Sequence, residues 1–171
     1  LHVAYVAYTS PTSPTSPTRR LHVAYVAYVA YASQKSIFEG FLIAMPTNSK
    51  KILVVGGAGY IGSHTVVELQ VAGYEVVIVD DLSNSTEAVV GQIEQITGIR
   101  PEFHRLNMQN LELLDALFEQ SKGIDAVIHF AAYKAVGESV EKPLDYYRNN
   151  LVSLINLFEC MGKYGVSNLV F

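Results

Sequence analysis

Lys51-Ile-Leu-Val-Val55, Gly56-Gly-Ala-Gly-Tyr-Ile-Gly62, Ser63-His-Thr-Val-Val-Glu-Leu-Gln-Val-Ala72 and Glu75-Val-Val-Ile-Val79-Asp80-Asp81 follow one another within about thirty residues, and their order decides the fold. The first piece is a short β-branched run suited to a strand buried on both faces of a parallel sheet. The glycine run opens a helix that Gly73 closes, and the second apolar strand ends in two acids. Gly56 or Gly57 lets the chain turn sharply out of the strand. Gly59 leaves room for a pyrophosphate to approach the backbone, and Gly62 lets the helix pack close. The N–H groups and positive dipole end of the helix then face the phosphates. Asp80, 18 residues beyond Gly62, can accept hydrogen bonds from both hydroxyls of a ribose, and its charge repels a 2′-phosphate. Strand, glycine loop, helix, strand and acid together predict a dinucleotide site that takes NAD rather than NADP.

The alternation continues outward. A helix is expected over Thr86–Ile96, ending near Gly98, then a strand over Pro101–Leu106 and an amphipathic helix over Leu111–Gln120. Asp125-Ala-Val-Ile-His-Phe130 reads as a fourth strand, Pro143 opens a helix to about Met161, and Asn168-Leu-Val-Phe171 begins a fifth strand. The fold class is α/β, a doubly wound parallel sheet, expected to break off in its fifth strand.

Upstream lies a different grammar. Leu-His-Val-Ala-Tyr-Val-Ala-Tyr stands at 1–8 and again at 21–28, with Thr-Ser-Pro repeated three times between. The three-residue period matches neither helix nor strand, and the Thr-Ser-Pro tract favours extended, polyproline-like conformations. Arg19-Arg20 and the apolar run after them imitate a signal peptide, but eighteen residues precede the arginines, and the run is too short to span a bilayer. Tyr8-Thr-Ser-Pro has the look of the tail repeat of the large RNA polymerase subunit without its recurring tyrosine, and it matches mucin-like sequence by composition alone. The domain division is therefore 1–44, a repetitive extension, and 45–171, the nucleotide-binding unit, with Met45 as the natural start.

Composition limits the alternatives. The chain has 171 residues, 12 Lys+Arg against 16 Asp+Glu and half its residues apolar, which excludes intrinsic disorder throughout and a basic nucleic-acid stripe. The extension carries Arg19, Arg20 and Lys35 against Glu39, so the excess of acid belongs to the remainder. Cys160 is the single cysteine, and five scattered histidines lack ligand spacing, so no metal site is expected. His129, within the fourth strand, reads as a packed, hydrogen-bonded histidine.

Two motifs carry a family resemblance: Gly56-Gly-x-Gly-Tyr-Ile-Gly-Ser-His64 and Lys134-Ala-Val-Gly-Glu-Ser-Val140. With them, residues 50–171 resemble the N-terminal, Rossmann-like NAD-binding part of the UDP-glucose 4-epimerases, in the extended short-chain dehydrogenase/reductase superfamily. Nucleotide-sugar dehydratases share the glycine loop but usually carry an Ala-Ala-Glu-Ser-His type of sequence at the second site. The resemblance implies that Tyr60 and Ile61 cap the pyrophosphate through backbone N–H groups, and that Asp80, Asp81, Leu82, Asn84 and Ser85 surround the adenosine. It places Asn107 and Met108 by the adenine, Phe130, Ala131 and Ala132 along the cofactor cleft, Lys134 at the cofactor's ribose region and Asn149 near the nicotinamide. Val55 stands where the family often has threonine. Asn107 replaces an aspartate, and its amide oxygen can still accept from the adenine amine. Arg148 replaces an acid, a change with no account in the sequence.

The resemblance further implies an isomerase of galactose and nucleotide-sugar metabolism, a UDP-sugar substrate, a cytoplasmic setting, no membrane or nucleic-acid partner and a commonly homodimeric parent. The family's catalytic serine or threonine and Tyr-x-x-x-Lys are expected after the fifth strand, beyond Phe171. The one Tyr-x-x-x-Lys in the chain, Tyr31 to Lys35, precedes the phosphate loop and is not expected to act. The chain is thus read as an inactive cofactor-binding portion of a longer enzyme.

Overall fold

The computed structural model describes residues 50–171. The repeats and the readings of residues 1–44 lie outside the described residues.

Five strands form one parallel sheet: β1 (Lys51–Val55), β2 (Glu75–Asp80), β3 (Glu102–Arg105), β4 (Ile124–His129) and β5 (Asn168–Val170), in the order β3-β2-β1-β4-β5. β1, β2 and β4 are the apolar runs, and every residue in them but Lys51, Glu75, Asp80 and Asp125 is buried. Such strands tolerate cover on both faces, and both are covered. Side chains alternate across the sheet. Leu53, Val55, Val77, Val79 and Val127 form one core with Leu114, Leu117 and Phe118 of α3 (Leu111–Gln120) and Leu157, Cys160 and Met161 of α6 (Ser153–Tyr164). The alternate residues Ile52, Val54, Val76 and Ile78 are also buried. They back onto α1 (Tyr60–Val71) and α2 (Ala88–Thr97), whose Val66, Leu69, Val90 and Ile93 are fully or almost fully enclosed.

The chain winds outward from β1 to β3, then crosses back so that β4 lies on the other side of β1. This reversal makes the carboxyl ends of β1 and β4 the topological switch point, where such sheets bind ligands.

The predicted elements are all present, with informative differences at their ends. α3 keeps its expected limits because Asn110 caps it, its side-chain oxygen accepting the Leu113 N–H at 3.1 Å. α2 stops at Gly98, which takes the left-handed conformation with φ +76°. α1 begins at Tyr60, three residues earlier than expected, with Gly59 as a cap that offers no side chain. A short helix, α4 (Val136–Glu141), was not predicted. The helix from Pro143 continues to Tyr164 as α5 (Pro143–Tyr147), a π-type turn over Arg148–Val152, and α6.

His129 departs from expectation. It is buried at the end of β4 and stacks on Phe171 with ring centroids 5.4 Å apart, but its Nδ1 has no hydrogen-bond partner. Desolvation without compensation penalises the imidazolium, and the pKa falls from 6.5 to about 4.

The nucleotide cleft at the carboxyl edge of the sheet

β1 delivers the chain into Gly56, whose φ of +78° is a conformation other residues avoid. A Cβ there would meet the Ala131 backbone N at 2.8 Å, so the turn lies directly against the segment leaving β4. At Gly57 a Cβ would sit 2.8 Å from Cγ2 of Ile78, and at Gly62 it would overlap the Gly56 carbonyl oxygen and stand 2.8 Å from Gly57 Cα. The close packing attributed to Gly62 is therefore packing of α1 onto the glycine turn. Gly59 is roomier: its Cβ would meet only the Gly56 oxygen, at 3.3 Å. No side chain caps α1, and the first bond to its cap comes from Ser63 N–H to the Gly59 carbonyl. The first-turn amides of Tyr60, Ile61 and Gly62 thus face outward from a helix start left without a side-chain acceptor. The Tyr60 ring projects into solvent, edge-on to His64.

Asp80 is more committed than the sequence suggests. Its Oδ2 accepts the Ala58 N–H at 3.0 Å, and its Oδ1 accepts the Leu82 N–H at 2.9 Å and the Ser85 hydroxyl at 2.8 Å. An ionised carboxylate offers about four lone-pair sites, so the chain itself uses three. The position left for a ribose hydroxyl is on Oδ2. Asp81 accepts the Ser83 N–H on Oδ1, and its Oδ2 meets no donor among the described residues. Two carboxylates with open acceptor positions thus stand side by side at the end of β2. Leu82 is held at φ +62°, the one non-glycine residue with positive φ among those described, and its strained backbone aims the amide at Asp80.

The remaining predicted residues spread along the same edge. Asn84 and Asn149 line an open cleft of about 420 Å³ together with Ser83, Gln109, Tyr133 and Arg148. Asn107 is exposed, and its Oδ1 accepts the Gln109 N–H at 2.8 Å, leaving one lone pair on the oxygen expected to meet the adenine. The Met108 side chain is buried in the core, which limits any part it plays in the cleft to its main chain. Phe130 hydrogen-bonds through its N–H to the Val55 carbonyl, and Phe130 and Ala131 are half-buried while Ala132 is exposed. Lys134 is exposed and makes no hydrogen bond or ion pair among the described residues. Arg148 reaches Asp145 at 3.7 Å.

Sequence reasoning missed the asparagines that hold this edge together. Asn156, buried on α6, donates to the carbonyls of Met108 and Gln109 at 2.9 and 3.0 Å. Asn150 bonds both main-chain groups of Tyr133. The signal for Asn156 was present: a polar residue on the apolar stripe of Leu157 and Cys160 needs a buried partner. Among the described residues no His, Cys, Asp or Glu cluster could hold a metal, and no helix is long and apolar enough to cross a membrane.

A glycine turn at the switch point, an uncapped helix start and two carboxylates at the end of β2 define a doubly wound α/β fold of the dinucleotide-binding class. The residues present fit NAD on these grounds: the start of α1 supplies unanswered amides for phosphate, and Asp80 and Asp81 keep acceptors for a ribose. The chain belongs to the NAD dependent epimerase/dehydratase family, whose sequence profile matches residues 52–171. It is 54% identical over 120 residues to a UDP-glucose 4-epimerase of Schizosaccharomyces pombe, which covers 70% of this chain and 34% of that enzyme. The UDP-glucose 4-epimerase of Bacillus subtilis is 52% identical over 120 residues, covering 70% and 35%. The chain thus spans about a third of the length of these relatives. Among solved structures, the epimerase of Stenotrophomonas maltophila, with bound NAD and formylated UDP-arabinopyranose, superimposes with a TM-score of 0.69 at 48% identity over 71% of this chain and 36% of that one. The Bifidobacterium longum epimerase, in complex with NAD+ and UDP, gives 0.70 at 43% identity over the same shares.

Proposed function

We propose that this chain is the cofactor-holding portion of a UDP-glucose 4-epimerase, which interconverts UDP-glucose and UDP-galactose in galactose metabolism. The observation that carries the reading is the pairing of an uncapped glycine-loop helix with the Asp80–Asp81 carboxylates at the switch point, in a chain about half identical to epimerases. The chemistry that bound NAD would supply is reversible acceptance of hydride from C4 of the sugar. The protein's part is positional. The Tyr60 and Ile61 amides bind phosphate oxygens, Asp80 and Asp81 accept ribose hydroxyls and repel a 2′-phosphate, and Lys134 and Asn149 contact the cofactor from the β4 side. Phe130, Ala131 and Ala132 form the wall between.

The one Tyr-x-x-x-Lys of the 171 residues, Tyr31 to Lys35, precedes the phosphate loop, and these residues assayed alone are expected to bind cofactor without turning over UDP-sugar; conversion of UDP-galactose by them would refute this. The partner in assembly is a second copy. Leu144, Tyr147, Leu151, Ile155 and Phe158 are each at least half exposed along one long helix. Their spacing is symmetric about Leu151, as an isologous antiparallel helix pair requires. The setting is the cytoplasm, a reducing compartment in which a lone cysteine, here buried, stays a thiol.

Calorimetric titration tests the cofactor reading. NAD is expected to bind at least about tenfold more tightly than NADP, because two carboxylates oppose the 2′-phosphate. Equal affinities, or no heat with either, refute it.

A further inference from the structure

The segment leaving β4 is gripped at alternate residues by side chains of the long helix. Asn150 Oδ1 accepts the Tyr133 N–H at 2.8 Å while its Nδ2 donates to the Tyr133 carbonyl at 2.9 Å. Two residues on, the Tyr146 hydroxyl accepts the Ala135 N–H at 3.1 Å. Its single proton is shared between the Ala135 carbonyl at 2.9 Å and Glu138 Oε2 at 3.1 Å. Each grip occupies both main-chain groups of one residue, as a neighbouring strand would in a ladder. The residue between them is Lys134, whose ammonium is exposed and unpaired among the described residues. Asn150 also accepts from Asn149 Nδ2 at 3.0 Å, which fixes the Asn149 amide and leaves its oxygen available. Asn150 sits in the π-type turn Arg148–Val152, a departure from regular helix of the kind found at functional sites.

We propose that Asn150 and Tyr146 are positioning residues of the nucleotide site: they clamp the backbone on either side of Lys134 so that its ammonium is presented to the bound cofactor from a fixed loop. The proposal rests on the reading of Lys134 as a cofactor contact. A lysine on a loose loop must be ordered when the ligand binds, and that ordering subtracts from affinity; a lysine on a clamped loop has already been ordered by folding.

Two measurements on the full chain separate the clamp from the cofactor reading. In hydrogen exchange without ligand, the Tyr133 and Ala135 amides are expected to be protected. Asn150→Asp, which sets a carboxylate oxygen against the Tyr133 carbonyl, should release Tyr133. Tyr146→Phe, which keeps the ring against Tyr133 at 5.5 Å and removes only the hydroxyl, should release Ala135. The amides of β1 and β4 report that either variant is folded. In NAD titrations each variant is expected to bind about fivefold more weakly, about 1 kcal/mol. That loss should vanish in a Lys134→Ala background, because nothing is then left to position. Unchanged affinity in both variants, or losses that add to that of Lys134→Ala, overturn the proposal. Unprotected amides at both positions in the wild type overturn the clamp even if NAD binds. A protected clamp in a chain that binds no NAD overturns the cofactor reading instead.

Discussion

Replacing Asp80 by asparagine is expected to destabilise the protein before any ligand is present. The carboxylate accepts three protein hydrogen bonds, at 3.0 Å from Ala58 N–H, 2.9 Å from Leu82 N–H and 2.8 Å from the Ser85 hydroxyl. An asparagine carries one acceptor oxygen. With that oxygen in the Oδ1 position, its amide group faces the Ala58 N–H; turned over, it faces the Leu82 N–H. In the first case the stranded donor belongs to Ala58, which is 3% exposed, and leaving such a donor unpaired costs about 1–3 kcal/mol. Loss of charge assistance in the two surviving bonds adds roughly 0.5 kcal/mol each. The expected total is about 2–4 kcal/mol. With a urea slope of about 2 kcal/mol per molar for a domain of this size, the unfolding midpoint should fall by roughly 1–2 M. The assay is urea unfolding of the ligand-free chain followed by circular dichroism, since the sequence has no tryptophan. An Asp80→Asn midpoint equal to that of wild type without ligand would refute the reasoning. It would mean that the carboxylate is not held by the chain and that its acceptors belong wholly to the ligand.

Other expectations follow from burial and sterics. His129, with its folded pKa near 4 against 6.5, stays neutral while the unfolded chain protonates. Stability should therefore fall by about 3 kcal/mol as pH drops from 6.5 to 4 and then level off. His129→Phe should remove that component, visible as the difference between the two pH profiles of unfolding. Gly62→Ala must push α1 off the glycine turn, because its Cβ would overlap the Gly56 oxygen. It is expected to cost about 3 kcal/mol or more and to abolish NAD binding. Gly91→Ala, in α2 with nothing within 4 Å of the new methyl, should instead stabilise by up to about 1 kcal/mol in thermal melts.

The layered fold was legible because its signals are local. β1, β2 and β4 are short apolar runs rich in valine and isoleucine, and α3 has both a leucine period and a capping asparagine. The start of α1 was misplaced because a glycine cap leaves no side-chain mark and Tyr60 reads as part of the loop. Val136–Glu141 buries no residue, so no apolar stripe announced it. The partners of Asp80 were invisible for another reason: Ala58 donates from 22 residues away, and only the fold brings that amide to the carboxylate. Asn150 carries no pattern at all, since its function depends on a π-type turn and on a loop 17 residues earlier. His129 shows the converse error. An apolar strand context correctly indicated burial, but burial does not guarantee a partner.

The polar bonds of this domain divide by location, and the division explains how a site can stand ready for ligand. Away from the cleft the charges form exposed pairs, Arg100 with Glu94 and Lys163 with Asp115, a class that adds little to stability. At the carboxyl edge of the sheet the bonds are instead between loops and distant elements. Asp80 ties the glycine turn to the loop after β2, Asn156 ties the loop after β3 to α6, and Asn150 and Tyr146 tie the segment after β4 to the long helix. All four strand-to-helix loops at the carboxyl edge are thereby held by half-buried or buried side chains rather than by the ligand. Since the ordering of loops is a principal cost of binding, a rim ordered by folding leaves more of the contact energy of a dinucleotide to appear as affinity. Strain at Leu82 fits the same logic: an αL leucine costs about 1–2 kcal/mol, and what it secures is one amide pointed at the carboxylate that the site depends on.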